Sequence, residues 1–124
     1  METASDDPRA VFLRLVWEAI RGWNEGNINN IPAASRAVTA GAAAKDVALA
    51  MNAAAYEAVF QVLSLIDERG DAEAELDAPG WALVAAVESD DGSVTPTDLY
   101  ALSFMHESLL TADPTGVEGA DLFE

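Results

Sequence analysis

With 124 residues, 51% of them hydrophobic, the chain is long enough for one domain whose core needs no covalent staples. It contains no cysteine, which excludes disulfides, thiolate metal sites and a cysteine nucleophile. Twenty-two acids against six bases give a formal charge of −16. Such a charge repels phosphate backbones and anionic lipid headgroups, so direct binding to nucleic acid or to a membrane is not expected.

The first residues, Met1 to Pro8, are acidic where a secretory signal is basic, and no uninterrupted apolar run approaches the roughly 20 residues that span a bilayer. A cytoplasmic protein is expected. Asp6, Asp7 and Pro8 form a helix start, with a carboxylate cap and a proline where a missing N–H costs nothing. The first helix is predicted to run to about Trp23. At 100° per residue Val11, Phe12, Leu15, Val16, Ala19, Ile20 and Trp23 share one half of the wheel. Arg14, Glu18, Arg21 and Glu25 lie opposite at ion-pair spacing and read as a solvated face.

Residues 26–31 break that helix, and Asn30 or its neighbour is placed to cap a second one from Pro32 to about Ala40, with Gly41 as punctuation. From Ala42 to Arg69 there is neither proline nor glycine, and Gly70 follows as a C-cap. This predicts a helix about 40 Å long that crosses the domain. Apolar residues cover all but a narrow strip holding Asp46, Glu57, Gln61, Ser64 and Glu68, so the helix is expected to be central with that strip facing water. Asn52 stands out on the Leu49 and Tyr56 side, where its amide needs a partner such as a backbone carbonyl or the Tyr56 hydroxyl.

Residues 71–80 form a polar acidic connection. Trp81, Leu83, Ala85 and Val87 then alternate before the turn signal Asp90-Asp91-Gly92-Ser93, which predicts a hairpin returning through Val94 to Pro96. Thr97 is placed to cap a last helix from about Asp98 to Ala112, closed by Asp113-Pro114. Residues 1–6 and 115–124 read as flexible ends, with Leu122 and Phe123 the two tail groups able to dock. The fold class that results is mainly α: about four helices around one long central helix, with a short β-hairpin, as a single acidic domain over residues 1–124. An α+β arrangement is the alternative.

Catalytic signatures are sparse. His106, the sole histidine, falls on the apolar side of the last helix with Leu99, Leu102, Leu109 and Leu110, the setting of a hydrogen-bonded packing residue. Catalysis there needs a carboxylate or nucleophile that sequence spacing does not supply. Glu57 is the other weak catalytic candidate, placed by the wheel on the solvent strip. No metal site is expected, because position 110 is Leu where a helical zinc motif needs a second ligand, and Glu88, Asp90, Asp91 and Asp98 lack calcium-loop spacing. No phosphate-cradling or dinucleotide motif is present, so no cofactor is expected.

Tyr100 and Phe104 fall with Glu107 on the nominally polar side of the last helix, where an aromatic pair is core if the tail or hairpin covers it and a contact surface if neither does. The charge is also uneven. Residues 1–66 carry seven acids and five bases, residues 67–77 six and one, and residues 78–124 nine acids and no base. The expected function is therefore non-enzymatic: an inhibitor, immunity-like, antitoxin-like or adaptor protein meeting a basic protein partner through its acidic second half. Tyr100, Phe104, Glu107, Asp90 and Asp91 are its contact candidates. The alternatives are a small enzyme or ligand-binding protein with a pocket around His106, and a nucleic-acid mimic. Alanine-rich helix surfaces also allow a homodimer.

Overall fold

A computed structural model describes residues 7–67, 83–98 and 102–123. The protein is mostly helical, with five α-helices among the described residues and one short antiparallel hairpin. Helix α1 spans Pro8–Ile20, α2 Pro32–Thr39, α3 Ala44–Asp67, α4 Met105–Ser108 and α5 Ala120–Phe123, and strands β1 and β2 span Ala85–Glu88 and Val94–Asp98. The long helix α3 is central in position, packing against α1, α2, α4 and α5.

Helix α1 starts as its sequence dictates: the Asp7 carboxylate accepts from the Arg9 N–H at 3.2 Å, and Pro8 occupies the first turn. Its end and its buried stripe differ from expectation. The helix stops at Ile20 because the next backbone groups are taken by side chains: Asn27 Nδ2 donates to the Gly22 carbonyl, and Asn52 engages both backbone groups of Trp23. The buried residues are Leu13, Trp17 and Ile20, spaced four and three apart, while Leu15 stays exposed. Buried Trp17 directs its indole N–H to the Leu109 carbonyl at 2.8 Å, which anchors the C-terminal segment to α1.

Helix α2 has Ile31 at its N-cap with no side-chain cap, so Asn30 does not play the part its position suggested. Helix α3 buries Ala48, Asn52, Tyr56 and Leu63 along one stripe. Glu57 and Gln61 face water as the wheel requires, but Val62 and Leu65 are exposed as well, so α3 is open on one side rather than enclosed. Its most apolar window has a mean hydropathy of 1.4 and only 17% of that window is buried. By length and composition α3 is therefore long and apolar enough to cross a bilayer, a property that scanning for an unbroken apolar run overlooks because scattered polar residues interrupt it.

The main core joins Leu13, Trp17 and Ile20 of α1 to Tyr56 and Leu63 of α3, Ala85 of β1, and Leu102, Met105 and Leu109. Each large member contributes about 1.5–3 kcal/mol on burial. A smaller cluster of Ile28, Ala34 and Ala48, flanked by Trp23, Val47 and Met51, packs α2 onto the start of α3.

The expected last helix over 98–112 does not form as one unit. Residue 98 still belongs to β2, Phe104 takes the left-handed conformation at φ +54°, and among the described residues of this stretch only Met105–Ser108 is α-helical before a 3-10 turn over Leu110–Ala112. Two long-range partners stabilise this break. Arg9 donates to the Ser103 carbonyl at 2.8 Å, the Phe104 carbonyl at 3.3 Å and the Ser108 hydroxyl at 2.7 Å. Asp67 accepts the His106 N–H at 3.1 Å, capping the start of α4 from another helix.

The tail is docked at its end: the Phe123 ring meets Tyr56 edge-on with centroids 5.3 Å apart. The expected connection over 71–80, the Gly70 cap, Trp81 and residues 1–6 lie outside the described residues.

Candidate functional site

Three groups of polar side chains organise the C-terminal half. In the first, Arg21 is not part of a solvated ladder. It sits at the C-cap of α1, stacks its guanidinium 5.1 Å from the Trp17 ring centre, and pairs with Asp113 at 2.8 Å and Asp121 at 2.9 Å. The expected pairs with Glu18 and Glu25 do not form, because two carboxylates from the far end of the chain claim the same five-donor fork. Asp113 is buried, which pushes its pKa up. Hydrogen bonds from Arg21, from the Thr115 and Gly119 N–H groups and from the Thr115 hydroxyl outweigh burial and hold it at about 2. Gly119 is required here: its φ is +74° and a Cβ would lie 3.1 Å from Leu110.

The second group is His106 with Asp67. The Asp67 carboxylate meets His106 Nδ1 at 2.5 Å while accepting the same residue's backbone N–H, and its side chain is only 2% exposed. Phe60 packs edge-on against the imidazole at 5.6 Å. His106 thus has the carboxylate partner that sequence spacing did not reveal, supplied by the last residue of α3. Nε2 makes no hydrogen bond among the described residues. Glu57 is exposed on α3, ten residues before Asp67, and makes no hydrogen bond to the pair among the described residues. Its charge adds to burial in pushing the Tyr56 hydroxyl up.

The third group is the hairpin. Strand β1 pairs with β2 through Ala86–Pro96, Val87–Thr95 and Glu88–Val94, with a bulge beside Ala85. Gly92 adopts φ +88°, which the turn needs, and Asp91 accepts from the Ser93 N–H and hydroxyl. The Ser93 backbone bond, then the hydroxyl, hold the Asp91 carboxyl below its ordinary range. Among the hairpin residues whose burial is described, only Ala85 is buried. Val87 is 56% exposed and Val94 63%, on opposite faces of the ribbon, and Glu88, Asp90 and Asp91 are exposed beside them.

Of the contact candidates, Asp90 and Asp91 therefore sit at the tip of the hairpin. Phe104 is 56% exposed on the strained turn held by Arg9, with exposed Glu107 three residues on, and Tyr100 lies outside the described residues. Two apolar grooves also lie among the described residues. One, about 300 Å³, lies between α1 and α3, lined by Phe12, Val16, Val59, Val62, Ile66 and Leu83 among others; the other, about 370 Å³, lies between α2 and α3 around Ile31, Val47 and Met51. Neither is lined by His106.

Among the described residues no three His, Asp or Glu side chains come together to hold a metal ion. The two signals that sequence reading missed, Arg21 with its two acids and His106 with Asp67, are pairings of residues far apart in the chain. No local spacing in the sequence hints at either, since the partners lie 92 and 39 residues apart. Comparison with protein-family models, with curated proteins and with solved structures finds no match to this chain.

Proposed function

We propose that the protein acts by binding, without catalysis, and that its partner is a basic protein met by the acidic surface of the C-terminal half. This covers an inhibitor, an immunity-like or antitoxin-like protein, or an adaptor. The supporting observation is how the acids divide. Asp113 and Asp121 are committed to Arg21, whereas Glu88, Asp90, Asp91, Glu107 and Glu118 are exposed and make no ion pair among the described residues. With exposed Val87, Val94 and Phe104 in the same half, the surface has both ingredients of a protein contact, apolar area and complementary charge. Retention of a basic partner on the immobilised protein at low salt, lost in high salt and lost in a Glu88→Lys, Asp90→Lys, Asp91→Lys variant, is the expected result. Retention indifferent to both changes overturns the reading.

A second reading, a small enzyme or ligand-binding protein working through His106, draws on Asp67, which occupies Nδ1 and leaves Nε2 as the reactive nitrogen. Small molecules that shift the Nε2 resonance equally at low and high salt would favour it.

A further inference from the structure

The hairpin has two long edges, and the backbone makes them unequal. The Ser89 N–H donates to the Ser93 carbonyl at 2.8 Å, so Ser89 and Ser93 form a hydrogen-bonded pair. Antiparallel pairs alternate. With the observed register, Glu88–Val94 is then a non-bonded pair, Val87–Thr95 a bonded one and Ala86–Pro96 non-bonded again. The N–H and C=O of Ala86 and Glu88 consequently point outward from β1. On β2 the outward groups belong to Val94 and Pro96, and Pro96 has no N–H to offer. The β2 edge is blunted by its proline, while the β1 edge keeps both donors and both acceptors. Among the described residues no strand pairs with that edge, and Ala86, Val87 and Glu88 are all exposed.

We propose that the outer edge of β1 takes an extended, lysine- or arginine-bearing segment of another protein as a third strand. This rests on the basic-partner reading above and adds the mode of binding. A two-stranded ribbon exposed on both faces is marginal alone, and a third strand satisfies the outward groups of Ala86 and Glu88. Charge selects the occupant. The edge ends at Glu88, with Asp90 and Asp91 at the adjoining turn and no basic residue anywhere after Arg69, so cationic side chains are attracted along its length. A second copy of this chain is disfavoured by the same groups, since pairing two β1 edges sets these acids against their own kind. On the other face Val87 offers an apolar neighbour, which suits a segment alternating basic and apolar residues.

The test uses the full chain and a short end-capped peptide alternating lysine and valine, with a version N-methylated on alternate residues that keeps the charge and removes main-chain donors. Expected are salt-sensitive binding of the first peptide, a loss of about tenfold or more for the N-methylated one, and slowed amide exchange at Ala86 and Glu88 but not at Val94. Ala86→Pro, which removes an outward N–H opposite the proline already tolerated at 96, should weaken binding by a similar factor, and Val94→Pro on the other edge should not. Unchanged circular dichroism and an unchanged Val87 amide would show the hairpin intact in both variants. Equal binding of the two peptides, or indifference to Ala86→Pro, overturns strand addition while leaving the basic-partner reading standing. No binding of either peptide even at low salt overturns both, and a concentration-dependent dimer abolished by Ala86→Pro would assign the edge to a second copy instead.

Discussion

Asn52 shows how a single polar side chain on an apolar face decides where a neighbouring element ends. Its carbonyl accepts from the Trp23 N–H and its amide donates to the Trp23 carbonyl, both at 3.1 Å, so one side chain replaces the backbone partners that another turn of α1 would have provided. The need for such a partner was legible in the sequence, because a buried amide cannot go unpaired; the identity of the partner was not. Replacing Asn52 with Leu, similar in size, leaves both Trp23 groups unpaired and should cost about 2–3 kcal/mol in urea unfolding with an unchanged slope. Phe104 makes the opposite case. A non-glycine residue at φ +54° stores strain of about 1–2 kcal/mol, and this one is largely exposed, so little packing offsets it. Phe104→Gly is expected to stabilise the fold by about 0.5–1 kcal/mol, raising Tm by about 2–5 °C in calorimetry. If Phe104 belongs to the partner surface, the same variant weakens binding, and the two effects together distinguish a functional aromatic from an accidental one.

At the level of elements, the C-terminal segment is held to the body by Arg9, Trp17, Arg21 and Asp67 rather than by its own helix propensity. The expected helix from 98 to 112 was drawn from local signals, a Thr cap and a leucine spacing. Arg9 and Asp67 instead stabilise a broken path by taking the carbonyls and N–H groups that a continuous helix would have used internally. The Arg21–Asp113–Asp121 clasp has a definite pH signature. Asp113 is held at about 2 against an ordinary value of 3.8, so its carboxylate is favoured in the folded state. Its contribution, about 2 kcal/mol, is fully present above pH 3.8 and is lost as the pH falls toward 2. Asp121 is shifted in the same direction through its hydrogen bonds to Arg21. Urea midpoints measured between pH 5 and pH 2 should fall steeply over that lower range in the native chain, and Asp113→Asn should flatten the slope while lowering stability at pH 5.

For the whole molecule, a formal charge of −16 acts on folding and on association with opposite signs. Self-repulsion opposes the compact state, so raising sodium chloride from about 0.1 M to 1 M, which shortens the screening length from about 10 Å to 3 Å, should raise Tm. The same change should weaken any basic partner. A fall in Tm with salt would mean that the Arg21 and Arg9 clasps outweigh the general repulsion. The acidic second half is also less uniform than its composition implies, since Asp113 and Asp121 pair with Arg21 and attach the tail to α1.

The sequence by itself determined the features that depend on neighbours a few residues away: the Asp7-Pro8 start of α1, the long uninterrupted α3, the Asp90 to Ser93 turn with its flanking strands, and the mainly helical class. It also determined the charge and its crowding into the second half. Only the tertiary structure decided the end of α1, the break at Phe104, the openness of one side of α3 and the partners of Arg21 and His106. Arg21 and Asp113 are 92 residues apart, and Asp67 and His106 are 39 apart. Such pairings carry no periodicity, because they arise where packing against Trp17 and Tyr56 brings distant segments together. Local propensity then yields to whichever distant side chain can satisfy the backbone group or charge left exposed.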